Sequence, residues 1–198
     1  MQIRAAAPED CLAIAQMHKG RLPDSFLGFL GTQFLVFFYK SLLESKIGFI
    51  IVAEEDKQVV GFYSGIVNKH KFCLYLVKNK TLGTIHFLFP HFFNIRVLRK
   101  IFEDFRYAWK NQKGVVLPEA ITLGLCVSKE YEGKEIGRKL FFATVAAFQE
   151  EGITEFNIVA GSDRLAAQRF FNHVGCDKMG EFELHKGKLS TLYVWKKK

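Results

Sequence analysis

Apolar residues follow two spacings along the chain, and these predict a mixture of strands and helices. A strand is predicted at 2–5, followed by a helix that starts at Pro8, because proline and the carboxylates after it suit a first helical turn, and ends near Gly20. Apolar residues three and four positions apart predict a second helix from Asp24 to Leu42. Two strand-like runs, 48–54 and 59–67, flank a polar turn and predict a hairpin.

The second half of the chain returns to the same alternation after a long interruption at 68–113. A buried strand is predicted at 120–127, with Ile121, Leu123, Leu125 and Val127 on one face. The elements predicted after it are a helix at 137–151, a strand at 155–160, a helix at 163–174 and a hairpin at 180–195 that turns at 186–188. The pattern predicts an α/β fold, with a mixed central sheet flanked by helices.

Length and composition narrow the class of protein. A chain of 198 residues, half of them apolar and 21 of them Phe, predicts a single folded domain over 1–198 and excludes wholesale disorder. The four cysteines lie far apart with no Cys-x-x-Cys pair, which argues against a zinc ribbon or a dense disulfide framework, and no metal site is expected. The first residues lack an apolar signal core and no apolar run is long enough to span a bilayer, so a cytoplasmic protein is expected.

The formal net charge of +8 is not spread evenly. Residues 1–67 sum to −1 and residues 114–198 to +1, whereas 68–113 carries ten Lys or Arg against Glu103 and Asp104. The basic signal therefore belongs to the interruption, and an acidic partner is expected to meet the chain there.

The stretch from Leu123 to Leu140 carries the clearest candidate chemistry. A buried strand leads into a loop with Gly133 and Gly137, and a helix begins there with its first backbone N–H groups unpaired within the helix. Such an end favours phosphate, and Arg138 and Lys139 add positive charge. Neither the Walker pattern nor the dinucleotide-binding pattern is present, so a phosphate loop and an ordinary strand-to-helix turn remain alternatives on spacing alone.

Two motifs resemble the GNAT superfamily of acyl-CoA-dependent N-acyltransferases. The family's loop, Arg/Gln-x-x-Gly-x-Gly/Ala, aligns with 132–137, which reads Glu-Gly-Lys-Glu-Ile-Gly. The family's later helix, Asn-x-x-Ala-x-x-Phe-Tyr followed by Gly-Phe, aligns with 164–171 and then Gly175-Cys176. The resemblance implies a GNAT-like fold with a helical, basic insertion at 68–113 between the early hairpin and the central strand. It also implies acetyl-CoA as the acyl donor and acetyl transfer to a primary amine of a small molecule.

The resemblance also implies which residues hold the donor. In similar proteins the pantetheine arm lies between two diverging strands while the loop binds the pyrophosphate. Carried over to this chain, the implied cofactor-binding residues are Leu125, Cys126, Val127, Gly133, Lys134, Ile136, Gly137, Arg138, Arg164 and Phe171.

Three positions depart from the family pattern. Glu132 and Glu135 place carboxylates on a loop that should meet a pyrophosphate, and Glu135 stands where glycine would allow a close approach. Phe171 replaces the tyrosine that often protonates the leaving thiolate. A non-catalytic GNAT-like binding module with weak or no CoA binding is therefore the alternative to an acetyltransferase.

The candidate catalytic side chains are Glu119 and Tyr193. Glu119 lies just before the central strand, near a glutamate that some family members use as a base, and a solvated strand-start residue is the alternative. Tyr193 on the last strand is a candidate acid, with a core tyrosine as the alternative. Direct attack by the amine, with its proton removed through water, needs neither.

The second half of the interruption predicts a helix that begins at Asn94, with an apolar and a basic face. One interpretation is a helical lid with a solvated basic face. Another is a surface for an anionic substrate, such as a nucleotide-linked amino sugar, or for an anionic membrane, which would make the protein membrane-peripheral. Nucleic acid is not favoured, because no nucleic-acid-binding signature accompanies the charge. The sequence assigns no oligomeric state.

Overall fold

The computed structural model describes residues 1–92, 117–185 and 188–197, and these form a mixed α/β fold as predicted. The strands are β1 (Gln2–Ala5), β2 (Gly48–Glu55), β3 (Gln58–Ile66), β4 (Ile121–Val127), β5 (Glu155–Gly161), β6 (Asp177–His185) and β7 (Lys188–Lys196). The helices are α1 (Cys11–Arg21), α2 (Phe26–Phe29), α3 (Thr32–Ser45), α4 (Lys69–Asn79), α5 (Thr81–Phe92), α6 (Ile136–Glu150) and α7 (Leu165–His173).

The seven strands form one sheet in the order β1-β2-β3-β4-β5-β7-β6. Neighbouring strands are antiparallel except β4 and β5, which are parallel. These two strands pair only where Ile121 faces Asn157, next to the 2.9 Å hydrogen bond from the Asn157 amide to the Ala120 carbonyl. Beyond that point they diverge toward their carboxyl ends, so the sheet opens in its middle.

Helices cover both faces of the sheet. On one face α1, α3 and α4 enclose a buried cluster that includes Ile14, Leu35, Phe38 and Phe62. On the other face α6 and α7 enclose a second cluster, in which Phe148 stacks on Phe156 with ring centroids 4.5 Å apart. Full burial of each such side chain stabilises the fold by about 1.5–3 kcal/mol, so both helical layers are held firmly against the strands.

The predicted facing of β4 is wrong in its second half. Ile121 and Leu123 pack into the α1/α3 cluster, but Leu125 and Val127 pack into the α6/α7 cluster. The cause is a β-bulge: Tyr63 pairs with Leu125 and Gly65 with Thr122, so β4 has one residue more than β3 over this stretch. An extra residue reverses the alternation of side chains for the rest of the strand.

The predicted second helix is two helices. It breaks at Gly31, whose φ of 92° lies in the left-handed region that favours glycine, and α2 is a short helix capped by the Ser25 hydroxyl. The helical spacing of apolar residues from Leu27 to Leu42 therefore continues across the break between α2 and α3. Gly20 also lies inside α1 rather than ending it.

The first part of the interruption is helical and packed against the body. Asn68 caps α4, whose Phe72 is buried and meets Phe38 edge-on at 5.5 Å. Lys80, just before α5, pairs with Glu44 of α3 at 2.5 Å. The helix predicted from Asn94 lies outside the described residues. None of the helices within the described ranges is long and apolar enough to cross a bilayer.

Candidate functional site

A cleft of about 210 Å³ lies where β4 and β5 diverge. Its two walls are formed by the strands, and Phe170, Phe171 and Ala167 of α7 close one side. Leu22, just after α1, borders it from the opposite face of the sheet. The walls are mainly apolar, so the cleft suits a slender, mostly apolar ligand that enters from the open end.

The loop at 128–135 leads from the open end of this cleft to the start of α6. Gly133 and Glu135 both have positive φ, 77° and 60°, and turn the chain into the helix. The first helical hydrogen bond runs from the Lys139 amide to the Glu135 carbonyl at 3.1 Å. The amides of Ile136, Gly137 and Arg138 precede it and have no partner within the helix, so this end of α6 presents N–H donors of the kind that suit an anion.

Backbone groups, rather than side chains, are what this turn offers to an anion. Ile136 is buried and contributes only its amide. A side chain at Gly137 would meet the ring of Phe170 at 3.8 Å, which places this glycine against the wall of the cleft. Lys134 lies over the ring of Tyr131, with its amine 4.6 Å from the centroid. The Lys134 ammonium group is therefore held against another residue of the same loop.

Each carboxylate that departs from the family pattern has an arginine beside it. Glu132 forms an ion pair with Arg21 at the end of α1, and Glu135 lies 3.6 Å from Arg138. Both carboxylate side chains are more than half exposed, at 54% and 67%. Their charges are thus partly offset and open to solvent, and the loop remains compatible with a bound phosphate.

The three predicted residues of β4 separate into two groups. The side chains of Leu125 and Val127 pack on the α6 side, and Leu125 lines the cleft. The Cys126 side chain points to the opposite face, where burial raises the pKa of its thiol to about 12. Cys126 is therefore a protonated core thiol, and only its backbone is available to a ligand in the cleft.

Of Arg164 and Phe171, only Phe171 lines the cleft. Arg164 precedes α7, and its guanidinium donates to the Arg21 carbonyl at 3.4 Å, so the two arginines adjoin one another. Phe171 is buried, lines the cleft and lies 5.6 Å from the ring of Tyr193. The phenylalanine therefore packs between the cleft and the core.

The two residues assigned to catalysis do not line the cleft. Glu119 lies before the amino end of β4, where its carboxylate is 3.4 Å from His70 of α4. Tyr193 is fully buried opposite Ile158, and its hydroxyl has no hydrogen-bond partner among the described residues. Burial raises the pKa of Tyr193. The catalytic roles of both residues stay predictions.

Sequence reasoning missed a buried histidine beside the cleft. His18 of α1 lies between Tyr39, 2.6 Å from Nδ1, and Ser25, 2.9 Å from Nε2, and a side chain at Gly124 would touch its ring. Burial lowers the pKa of His18 to about 4, so the ring is neutral near pH 7. Its spacing from Cys11, Ile14 and Ala15, all buried on the same helix face, is the signal that would have placed it in the core.

Solved structures with this fold are numerous. The protein yncA from Salmonella typhimurium, solved with its cofactor acetyl-CoA, superimposes with a TM-score of 0.64 at 15% identity, covering 99% of this chain and 93% of the other. An N-acetyltransferase from Staphylococcus aureus Mu50 gives 0.64 at 12% identity, with 98% and 97% covered. A ribosomal-protein-alanine N-acetyltransferase from Brucella melitensis gives 0.63 at 13% identity and full coverage of both chains. These likenesses establish the fold.

No curated protein matches the sequence at a significant level. A family profile does, that of the acetyltransferase (GNAT) family, over residues 15–176. The matched range runs from within α1 to Cys176, the residue before β6, and so contains the cleft, the loop and the amino end of α6. With the profile spanning most of its length, the chain belongs to the acetyltransferase (GNAT) family.

Proposed function

We propose that the protein transfers an acetyl group from acetyl-CoA to a primary amine of a small molecule. The observation that carries this proposal is the cleft between β4 and β5, which opens next to the unpaired amides of Ile136, Gly137 and Arg138. An apolar channel ending at an anion-binding helix terminus matches a molecule with a slender arm on a pyrophosphate.

The residues present fit acetyl-CoA. The amides of 136–138 would hold the pyrophosphate. The facing edges of β4 and β5 that do not pair with each other, from Leu125 to Val127 and from Ile158 to Ala160, would hold the arm. Arg21 and Arg164 adjoin at this end and add positive charge near the phosphates. When bound, acetyl-CoA supplies an acyl group activated as a thioester.

Acetyl transfer to nitrogen is supported by the family and by the neighbours' names. The S. typhimurium structure contains acetyl-CoA, and the S. aureus and B. melitensis proteins are named N-acetyltransferases. The acceptor proposed for this chain is a small molecule rather than a protein. The basic insertion favours an anionic acceptor, such as a nucleotide-linked amino sugar, because the described part of it, 68–92, contains four lysines and no Asp or Glu.

The residues that line the cleft act by orienting the reactants and by excluding water, rather than by exchanging protons. Among the described cleft-lining residues Tyr63 is the only titratable one, and burial raises its pKa, so it stays protonated. The acceptor must then arrive as the free amine. The proposal predicts a rate that rises with pH until the acceptor amine is deprotonated.

Calorimetric titration with acetyl-CoA tests the donor site. We expect saturable binding that Gly137→Asp weakens at least tenfold, because a carboxylate about 4 Å from a phosphate charge costs about 4 kcal/mol at an effective dielectric of 20. The site has room for the new side chain, and an acid in the first turn of a helix stabilises that helix, so folding should be unharmed. Ala146→Asp, which adds the same charge at an exposed position in the middle of α6, is the matched control and should bind normally. No binding by the unaltered protein would instead support a non-catalytic module.

A screen with acetyl-CoA, following thiol release, tests the acceptor. We expect amino sugars carrying phosphate to be acetylated faster than the same sugars without phosphate. Equal rates would contradict the role given to the basic insertion, and turnover with a peptide amine alone would contradict the small-molecule assignment. Flotation with vesicles tests the alternative that the basic insertion binds a membrane. That alternative requires binding to vesicles rich in anionic lipid and none to neutral vesicles.

A further inference from the structure

The closed end of the cleft contains two buried hydroxyl groups in contact. Tyr63 of β3 donates a 2.9 Å hydrogen bond to Oγ1 of Thr122 on β4, and both residues line the cleft. Tyr63 is 1% exposed and Thr122 4%. The pair lies next to Ile121 and Asn157, where the two strands meet. Toward their carboxyl ends β4 and β5 no longer pair, and the cleft lies between them.

Because Thr122 accepts the hydrogen bond from Tyr63, its own hydroxyl proton remains available for a different acceptor. Its described acceptor is the Asn157 carbonyl at 3.4 Å, which is far longer than the usual 2.7–2.8 Å for such a bond. Because burial raises the pKa of Tyr63, the tyrosine keeps the proton that it donates to Thr122 throughout the physiological range. Thr122 is thus an oriented hydroxyl whose own proton is only weakly engaged.

The reactive end of the donor must lie near this hydroxyl, provided that the proposed function holds. The phosphates belong beside the amides of 136–138, where Gly137 adjoins the cleft-lining Phe170. The lining of the cleft along β4 runs from Leu125 to Thr122. The five residue steps from Val127 to Thr122 span about 17 Å of strand. The acyl group at the far end of the arm is therefore placed against the closed end.

The geometry points to Thr122 as a catalytic residue that donates a hydrogen bond to the carbonyl oxygen of the acyl group, and to Tyr63 as the positioning residue that orients it. This inference rests on the proposed function and adds a residue role to it. A fixed donor in a buried site stabilises the negative charge that develops on that oxygen, and needs no rearrangement to do so.

The overall transfer balances without further reactants. The amine nitrogen forms a bond to the acyl carbon, the carbon–sulfur bond breaks with its electron pair going to sulfur, and the amine proton ends on that sulfur. CoA leaves as the free thiol. Thr122 keeps its proton throughout, so its contribution is electrostatic.

Infrared difference spectra of bound acetyl-CoA, labelled with ¹³C at the acetyl carbonyl, test the contact directly and need no acceptor. A hydrogen bond to the carbonyl oxygen lowers its stretching frequency. We expect the band of Thr122→Val to move to higher frequency, and that of Thr122→Ser to stay near the original position because serine keeps the hydroxyl. Thr144→Val is the matched control, since Thr144 is a buried threonine of α6 outside the cleft whose hydroxyl has no partner among the described residues.

Kinetics give a second readout, with the acceptor from the screen or with hydroxylamine. Thr122→Val should lower kcat about 100-fold, the usual cost of one such donor, while changing KM for acetyl-CoA little. Tyr63→Phe should lower kcat less and broaden the carbonyl band, because the threonine hydroxyl is then free to rotate. Thr144→Val should change neither.

The outcomes separate the two proposals. If the unaltered protein fails to bind acetyl-CoA, the proposed function is overturned along with the role of Thr122. If the protein binds and turns over, but Thr122→Val leaves both the carbonyl band and kcat unchanged, only the inference about Thr122 is overturned. A melting temperature for each variant, with and without acetyl-CoA, shows whether a lost signal reflects unfolding; for an unfolded Thr122→Val, Thr122→Ala replaces it under the same expectations.

Discussion

Two polar clusters each include a residue of α1 and differ in their exposure to solvent. The loop cluster consists of Arg21, Glu132, Glu135 and Arg138, and its carboxylates are more than half exposed. The buried cluster consists of His18, Ser25 and Tyr39, with hydrogen bonds of 2.6 and 2.9 Å at the two ring nitrogens of His18. His18 and Tyr39 are 1% and 0% exposed.

Burial explains the difference. Exposed ion pairs contribute at most about 1 kcal/mol, so the loop cluster can exchange its partners for a ligand at little cost to the fold. A buried polar group without its partner costs about 1–3 kcal/mol, so the buried cluster must stay intact. We therefore expect the loop cluster to tune ligand binding, whereas the buried cluster holds α1, α2 and α3 against the sheet.

The largest effect is expected from His18→Ala. The change removes two hydrogen bonds and opens a cavity next to Gly124, and we expect the free energy of unfolding to fall by about 3–4 kcal/mol. Urea denaturation measures it. His173→Ala, at the exposed end of α7, is the control and should cost at most about 1 kcal/mol. Equal losses in the two variants would contradict the stabilising role given to the buried hydrogen bonds of His18.

The pH dependence of stability follows from the same histidine. Burial lowers the pKa of His18 from 6.5 to about 4, so the unfolded chain binds a proton in this range that the folded protein does not. The contribution of His18 to stability is complete above pH 6.5 and is lost as the pH falls to 4, an overall change of about 3 kcal/mol. Denaturation curves between pH 7 and 4 should show this slope in the unaltered protein and a shallower one in His18→Ala. Parallel slopes would show that other groups dominate.

In the loop cluster, Glu135→Gly should stabilise the protein by about 1 kcal/mol. Glu135 has a φ of 60°, which L-residues adopt at a cost that glycine avoids. The change also removes a negative charge beside the anion-binding amides and should tighten acetyl-CoA binding. Lys46→Gly, at the left-handed end of α3 with a φ of 55°, is the matched control: it should stabilise similarly and leave acetyl-CoA affinity unchanged. Unchanged affinity in Glu135→Gly would show that this carboxylate does not sense the donor.

The smallest effect on stability is expected from Glu132→Gln. The change breaks an exposed ion pair with Arg21, which should alter the free energy of unfolding by about 0.5 kcal/mol. Freed from Glu132, the guanidinium becomes available to a phosphate, and we expect calorimetry to show a several-fold gain in affinity for acetyl-CoA that is larger at low salt. A loss of affinity would mean that the ion pair organises the loop.

The sequence anticipated the seven strands in their order and the strand–loop–helix at 121–140, because these depend on local spacing. Alternating apolar residues defined β4, and glycines marked the turn into α6. The facing of Leu125 and Val127 was predicted wrongly, since a β-bulge depends on how β4 pairs with β3 and leaves no mark in the spacing of β4 itself.

What the sequence determined by itself was the family, the α/β class and the loop that begins α6, because each rests on residue types at short fixed separations. Only the tertiary structure decided which polar groups meet. Arg21 reaches Glu132 across 111 positions, and Tyr63 reaches Thr122 across 59. Such contacts follow from strand order and helix packing, which bring together distant residues that carry no shared local pattern. Glu132 and Glu135, which by sequence alone argue against phosphate binding, therefore each lie beside an arginine in the folded chain.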